Sequence, residues 1–173
     1  MERCISYGFP TNILPGAYNN IHIVQTPAHV GIVREMVHEV RIIPVDGRPH
    51  LTAVIRPLIG DSRGRWEGET LVVETTNFSN RTAWHGASQW LWQTVGATFR
   101  VVERFTRVDA GRLGYEITVE DPSTWVVPWT AAYPMRQSDG PVFEYACHEA
   151  NYSLRNILEV ARDLDKAAAH AAR

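Results

Sequence analysis

At 173 residues the chain has room for one domain with a sizeable core and not for two ordinary ones. Hydrophobic residues make up 45% and charged residues 21%, a globular composition, and a formal net charge of -2 leaves no basic excess to hold a phosphate backbone, so nucleic acid is excluded as a partner. No apolar run approaches the roughly 20 residues that span a bilayer, so no membrane span is expected, and the opening MERCISYGFP lacks the apolar stretch of a signal peptide.

Apolar and polar residues alternate in segment after segment, with turn residues between them, which is the signature of antiparallel strands. In chain order the alternation predicts strands near 20–25, 29–44, 70–78, 97–108, 112–121, 125–136 and 142–147, with weaker ones near 3–8 and 62–66. VDAGRLG, Val108 to Gly114, reads as a hairpin turn in which Asp109 and Gly111 supply the turn chemistry. Two loops interrupt the pattern. Asp46 to Gly64 holds two prolines and three glycines, and Ser79 to Gly96 gathers Trp84, His85, Trp90 and Trp92. The tryptophans read as a cap on one end of a barrel or as an aromatic lid over a cavity.

One helix is expected, over about 151–168. Leu154, Ile157, Leu158, Ala161 and Leu164 recur at helical spacing, Asn151 can cap the start, and the last residues lack an apolar face. This helix should pack across the sheet. The expected fold is therefore mainly β, a single-domain antiparallel up-and-down barrel of the calycin or lipocalin type with one C-terminal helix, and a sandwich is the second choice.

The same period-2 alternation selects candidate site residues. In TFRVVERFTRV, Phe99, Val101, Glu103 and Phe105 share the apolar face, where a carboxylate is costly unless paired or protonated. Read as one strand, HVGIVREMVHEVRII places Arg34 and His38 on the inner face and Glu35, Glu39 and Arg41 on the outer one. Tyr115 faces inward in RLGYEITVE, and Trp125, Val127, Trp129, Ala131 and Tyr133 form an aromatic wall suited to an apolar or aromatic ligand, or a filled core. In FEYACHE, Tyr145 and Cys147 share a face and His148 takes the other. A Cys147–His148 nucleophilic pair is then geometrically poor, and His148 serves the rim or the helix start.

These assignments lead to a cofactor-independent barrel enzyme of the lyase, isomerase or hydratase kind. Glu103 is its general acid or base, His38 a proton partner, Tyr115 a donor to oxyanion charge and Arg34 the orienting cation. Trp84, His85, Trp90, Trp92, Trp129, Tyr133, Tyr145 and His148 would contact a small hydrophobic or aromatic molecule. A carrier or sensor of an apolar ligand is the alternative. A metal-dependent, cupin-like enzyme is a third, but no HxH, HExxH or CxxC spacing occurs, so its ligands would have to come from separate strands. The single lysine, Lys166, lies in the alanine-rich tail, which argues against Schiff-base chemistry. No GxGxxG, P-loop or GxSxG is present. Self-association of the chain is left open.

Cys4 and Cys147 are either a disulfide closing nearly the whole chain into one loop or two buried thiols. The blocks GDSRGRWEGETLVVETTNF, VVERFTRVD, TVEDPSTWVVPWT and FEYACHEANY, in that order, resemble a family of uncharacterised bacterial proteins and cover nearly all of the chain. The resemblance implies no activity. Its members commonly carry a leader and an extra N-terminal segment, which implies a periplasmic or secreted setting and favours the Cys4–Cys147 disulfide. This chain starts at the block itself.

Overall fold

The computed structural model of the chain describes Cys4, Ser6 and residues 19–80 and 97–171. The elements run β1 (Ile21–Gln25), β2 (His29–Arg34), β3 (Val40–Pro44), β4 (Asp61–Glu67), β5 (Thr70–Thr76), β6 (Arg100–Asp109), β7 (Arg112–Glu120), β8 (Trp129–Arg136) and α1 (Ser153–Ala171). The strands form two antiparallel sheets, β1-β2-β3 and β4-β5-β6-β7-β8, each a simple meander. A single meander closing into a barrel is not what the described residues form: β1, β3, β4 and β8 are all sheet edges.

The break lies between β3 and β4, where the proline- and glycine-rich stretch carries the chain from one sheet to the other without pairing the two strands. The sheets nevertheless come very close there. A Cβ on Gly64 of β4 would stand 2.8 Å from Val45 Cγ1 and 3.0 Å from Ile43 Cγ2, so only a glycine lets β3 lie against β4. Gly60, at φ +75°, turns the chain into β4 where a side chain would meet Thr75 and Phe78.

Alternation then builds one core shared by both sheets. Val30, Ile32 and Ile43 of the small sheet pack with Leu71, Val73, Val101, Phe105, Tyr115, Ile117 and Val119 of the large one, together with Phe78 and Phe99. The 108–114 hairpin forms as the turn residues require. Asp109 Oδ1 accepts the Gly111 N–H at 2.9 Å, and the ladder shifts register between Arg107 and Asp109.

Three expectations are corrected. The strand expected over 29–44 is a hairpin. The chain leaves β2 at Arg34, makes a single 3-10 turn over Met36–His38, and returns as β3. Residues 142–147 form no strand; β8 ends at Arg136, and the chain continues irregularly through Pro141 to the helix. The helix forms, with Asn151 Oδ1 accepting the Ser153 N–H at 3.2 Å, but it does not pack across a sheet. None of its residues is buried. The weak strand near 3–8, apart from Cys4 and Ser6, and most of the tryptophan loop, with Trp84, His85, Trp90 and Trp92, lie outside the described residues.

Candidate functional site: a buried polar cluster beside a half-covered aromatic face

Glu103 stands where the alternation of β6 puts it, on the inner face and fully buried. Its partner is Arg41 of β3. Nη1 donates to Oε1 at 3.1 Å and Nη2 to Oε2 at 2.6 Å, a bidentate ion pair whose two side chains are 1% and 0% exposed. The Tyr115 hydroxyl donates to Oε1 at 2.9 Å. Arg41 Nη2 also donates to Ser62 Oγ at 3.2 Å and Thr75 Oγ1 at 3.3 Å, and those two hydroxyls bond each other at 2.9 Å. Strands β3, β4, β5, β6 and β7 thus each contribute a side chain to one polar cluster inside an apolar core.

The hairpin explains why Arg41, expected outside, is in and His38, expected inside, is out. In β2 the even residues Val30, Ile32 and Arg34 are buried; after the turn the odd residues Arg41 and Ile43 are buried, while Val40 and Ile42 are exposed. The turn inverts the parity of the strand. His38 sits in it, exposed, at φ +42°. Glu35 and Glu39, also expected on the surface, are buried: Asn20 Nδ2 donates to Glu35 Oε2 at 2.7 Å and Ser6 Oγ to Glu39 Oε2 at 2.6 Å.

Arg34 is buried on the inner face as expected, within the electrostatic reach of the cluster. Burial and the neighbouring Arg41 charge hold its guanidinium down at about 10, with Glu103 and Glu39 pulling the other way. For Arg41, burial is outweighed by Glu103, and the guanidinium is held above its ordinary value. Burial, reinforced by the Glu103 charge, pushes the Tyr115 phenol well above the ordinary tyrosine range. These directions keep Arg41 charged and the Tyr115 phenol neutral.

Next to the cluster the core is open on one side. On β7 the inward residues Tyr115, Ile117 and Val119 are buried, but on β8 the same face, Trp129, Ala131, Tyr133 and Met135, is only half-buried. Tyr133 meets Tyr115 at a tilt with ring centroids 5.1 Å apart, Tyr115 packs at 4.9 Å on Phe105, and Trp125 meets Trp129 edge-on at 6.0 Å. Burial pushes the Tyr133 phenol up to about 12, and the Arg34 charge acts on it in the opposite sense. Ile21 and Ile23 of β1, an edge strand of the other sheet among the described residues, are half-buried against the same core. Asp121 holds the turn that delivers Trp125: its backbone carbonyl accepts the Trp125 N–H at 2.8 Å, and its carboxylate accepts from Ser123, Thr124 and Thr98.

The remaining expected residues lie apart from Glu103's hydrogen-bonded group. Val127 is exposed, ahead of β8. Tyr145 is half-buried and His148 exposed in the irregular stretch before α1, where the His148 carbonyl accepts the Asn151 N–H at 3.2 Å. Cys4 and Cys147 form a disulfide, with Cα atoms 5.7 Å apart, that ties this stretch to the start of the chain. A second polar group, not anticipated, lies around β4: His50 Nδ1 stands 2.8 Å from Asp61 Oδ2, which also accepts the Leu51 N–H, and Arg63 Nη1 donates to Asp61 Oδ1 at 2.5 Å. Among the described residues no group of three or more His, Cys, Asp or Glu side chains could hold a metal ion, and no helix is long and apolar enough to cross a membrane.

No protein-family model, curated protein or solved structure matches the chain.

Proposed function

We propose that the protein binds a small apolar or aromatic molecule against the inner face of β8, between the edge strands β1 and β8 of the described sheets. The observation that carries this reading is the half-covered state of Trp129, Tyr133 and Met135, side chains packed against the core yet still in contact with solvent. A wall of aromatic rings with a few fixed polar groups beside it is the usual make-up of a small-molecule site. In this reading the two sheets are halves of an incompletely closed calycin-like cup, β1 and β8 are its lips, and Arg41, Glu103 and Tyr115 stiffen its floor. The chain would belong to the often exported bacterial family it resembles, and the disulfide suits such an oxidising setting.

Glu103 favours binding over turnover. Its carboxylate already accepts three hydrogen bonds from Arg41 and Tyr115, and it has no exposed surface. One observation favours a second reading, a lyase, isomerase or hydratase: the Tyr115 hydroxyl is already aligned on a carboxylate, and a substrate group could replace one of the Arg41 contacts.

Calorimetric titration with a panel of aromatic and aliphatic compounds tests both. Binding weakened at least about tenfold by Trp129→Ala and Tyr133→Ala supports the site, and affinity unchanged by both refutes it. Turnover abolished by Tyr115→Phe with binding retained would promote the enzyme reading.

A further inference from the structure

Helix α1 displays an exposed apolar stripe that none of the described core residues covers. Leu154, Ile157, Leu158, Val160 and Leu164 are 44 to 66% exposed, along a helix none of whose residues is buried. The spacing is that of a heptad: Leu154, Ile157, Ala161, Leu164, Ala168 and Ala171 occupy successive a and d positions. We propose that this stripe is the docking surface for α1 of a second copy of the chain, with the two helices antiparallel about a two-fold axis.

Size complementarity selects the occupant and its direction. The large residues of the stripe lie in its first half and mostly alanines in its second. An antiparallel pair centred between Ala161 and Leu164 sets Leu154 opposite the partner's Ala171, Ile157 opposite the partner's Ala168, and Leu164 opposite the partner's Ala161. Every layer then matches one large residue with one small one, and the axes keep an even separation. A parallel pair would stack Leu154 and Ile157 on their own copies at one end and alanine on alanine at the other, forcing the helices to splay.

Charge points the same way. Ser153–Arg162 carries Arg155 and Arg162 against Glu159, a net positive half; 163–171 carries Asp163 and Asp165 against Lys166, a net negative half. This order opposes the helix macrodipole, which favours acidic groups at the start and basic ones at the end, and the first turn has no acidic residue. The antiparallel pair brings each positive half beside a negative one. An isologous contact of this kind closes as a dimer and does not propagate. A lipid surface fits less well, because the polar face mixes both signs and lacks the Lys/Arg excess of interfacial helices.

The test is molar mass by light scattering across a concentration series up to about 1 mM, on the full chain and on Leu164→Glu. The stripe is exposed, so that substitution leaves the sheets intact. A dimer whose dissociation midpoint rises at least about tenfold in Leu164→Glu is the expected result. The direction is read by mixing Leu154→Cys protein with Ala171→Cys protein, since both natural cysteines are already bonded. Cross-linking in the mixture supports the antiparallel pair, and Leu154→Cys protein that cross-links with itself overturns it. A monomer at every concentration, a dimer indifferent to Leu164→Glu, or co-flotation with anionic phospholipid vesicles that Leu164→Glu abolishes would also overturn it.

Discussion

Arg41 of one sheet grips Glu103 of the other through two hydrogen bonds, 3.1 and 2.6 Å long, at a point where neither side chain meets solvent. Two charges in an apolar core are tolerated only together. Glu103→Gln keeps the shape but strands the Arg41 cation, and should cost about 3 to 5 kcal/mol in urea unfolding. Replacing both, Arg41→Met with Glu103→Leu, should recover most of that and leave mainly the lost acceptor of Tyr115, about 1 to 3 kcal/mol. A double variant as unstable as the single one would mean that the pair is more than a self-compensating unit.

Alkaline stability follows from Tyr115. Its phenol titrates higher in the folded protein than in the unfolded chain, so its contribution is complete below the unfolded value of about 10 and is lost as pH rises toward the folded value. Tyr133 acts in the same sense, and Arg34, held down at about 10, in the opposite sense above that pH. Unfolding free energy measured from pH 9 to 11 should therefore fall, and fall less steeply in Tyr115→Phe. An equal slope in both proteins would remove Tyr115 from the account.

The disulfide between residues 143 apart restrains nearly the whole unfolded chain. On loop entropy its removal in Cys4→Ser/Cys147→Ser should cost on the order of 4 to 5 kcal/mol. Binding to the β8 face should persist wherever the double variant is still folded, because Trp129 and Tyr133 belong to another part of the chain. Chemical denaturation with and without ligand measures both effects.

Much of this was legible from alternation. Val101, Glu103, Phe105, Tyr115, Ile117 and Val119 all point where period two sends them, because β6 and β7 are regular and one face of each is buried. Arg41 was not legible. The turn that inverts its face is made by Met36, Val37 and His38, with Val37 at φ +50° and no glycine, proline or asparagine to announce it. The weak strand expected near 62–66 forms as β4, but that Gly64 lets β3 lie against it is visible only once the two sheets are in place. The helix was legible as an element but not as an unpacked one: an amphipathic pattern states that a face needs covering without saying by what.

For the half-covered face of β8 as a binding surface, the chain offers a sparse probe. There are three methionines, of which Met135 lies on that face and Met36 in the turn between β2 and β3. Methyl-labelled NMR during titration with the compound panel should shift the Met135 signal in a saturable way and leave Met36 in place. A Met135 signal unmoved by every compound at millimolar concentration, or one that moves only together with Met36, would contradict the account.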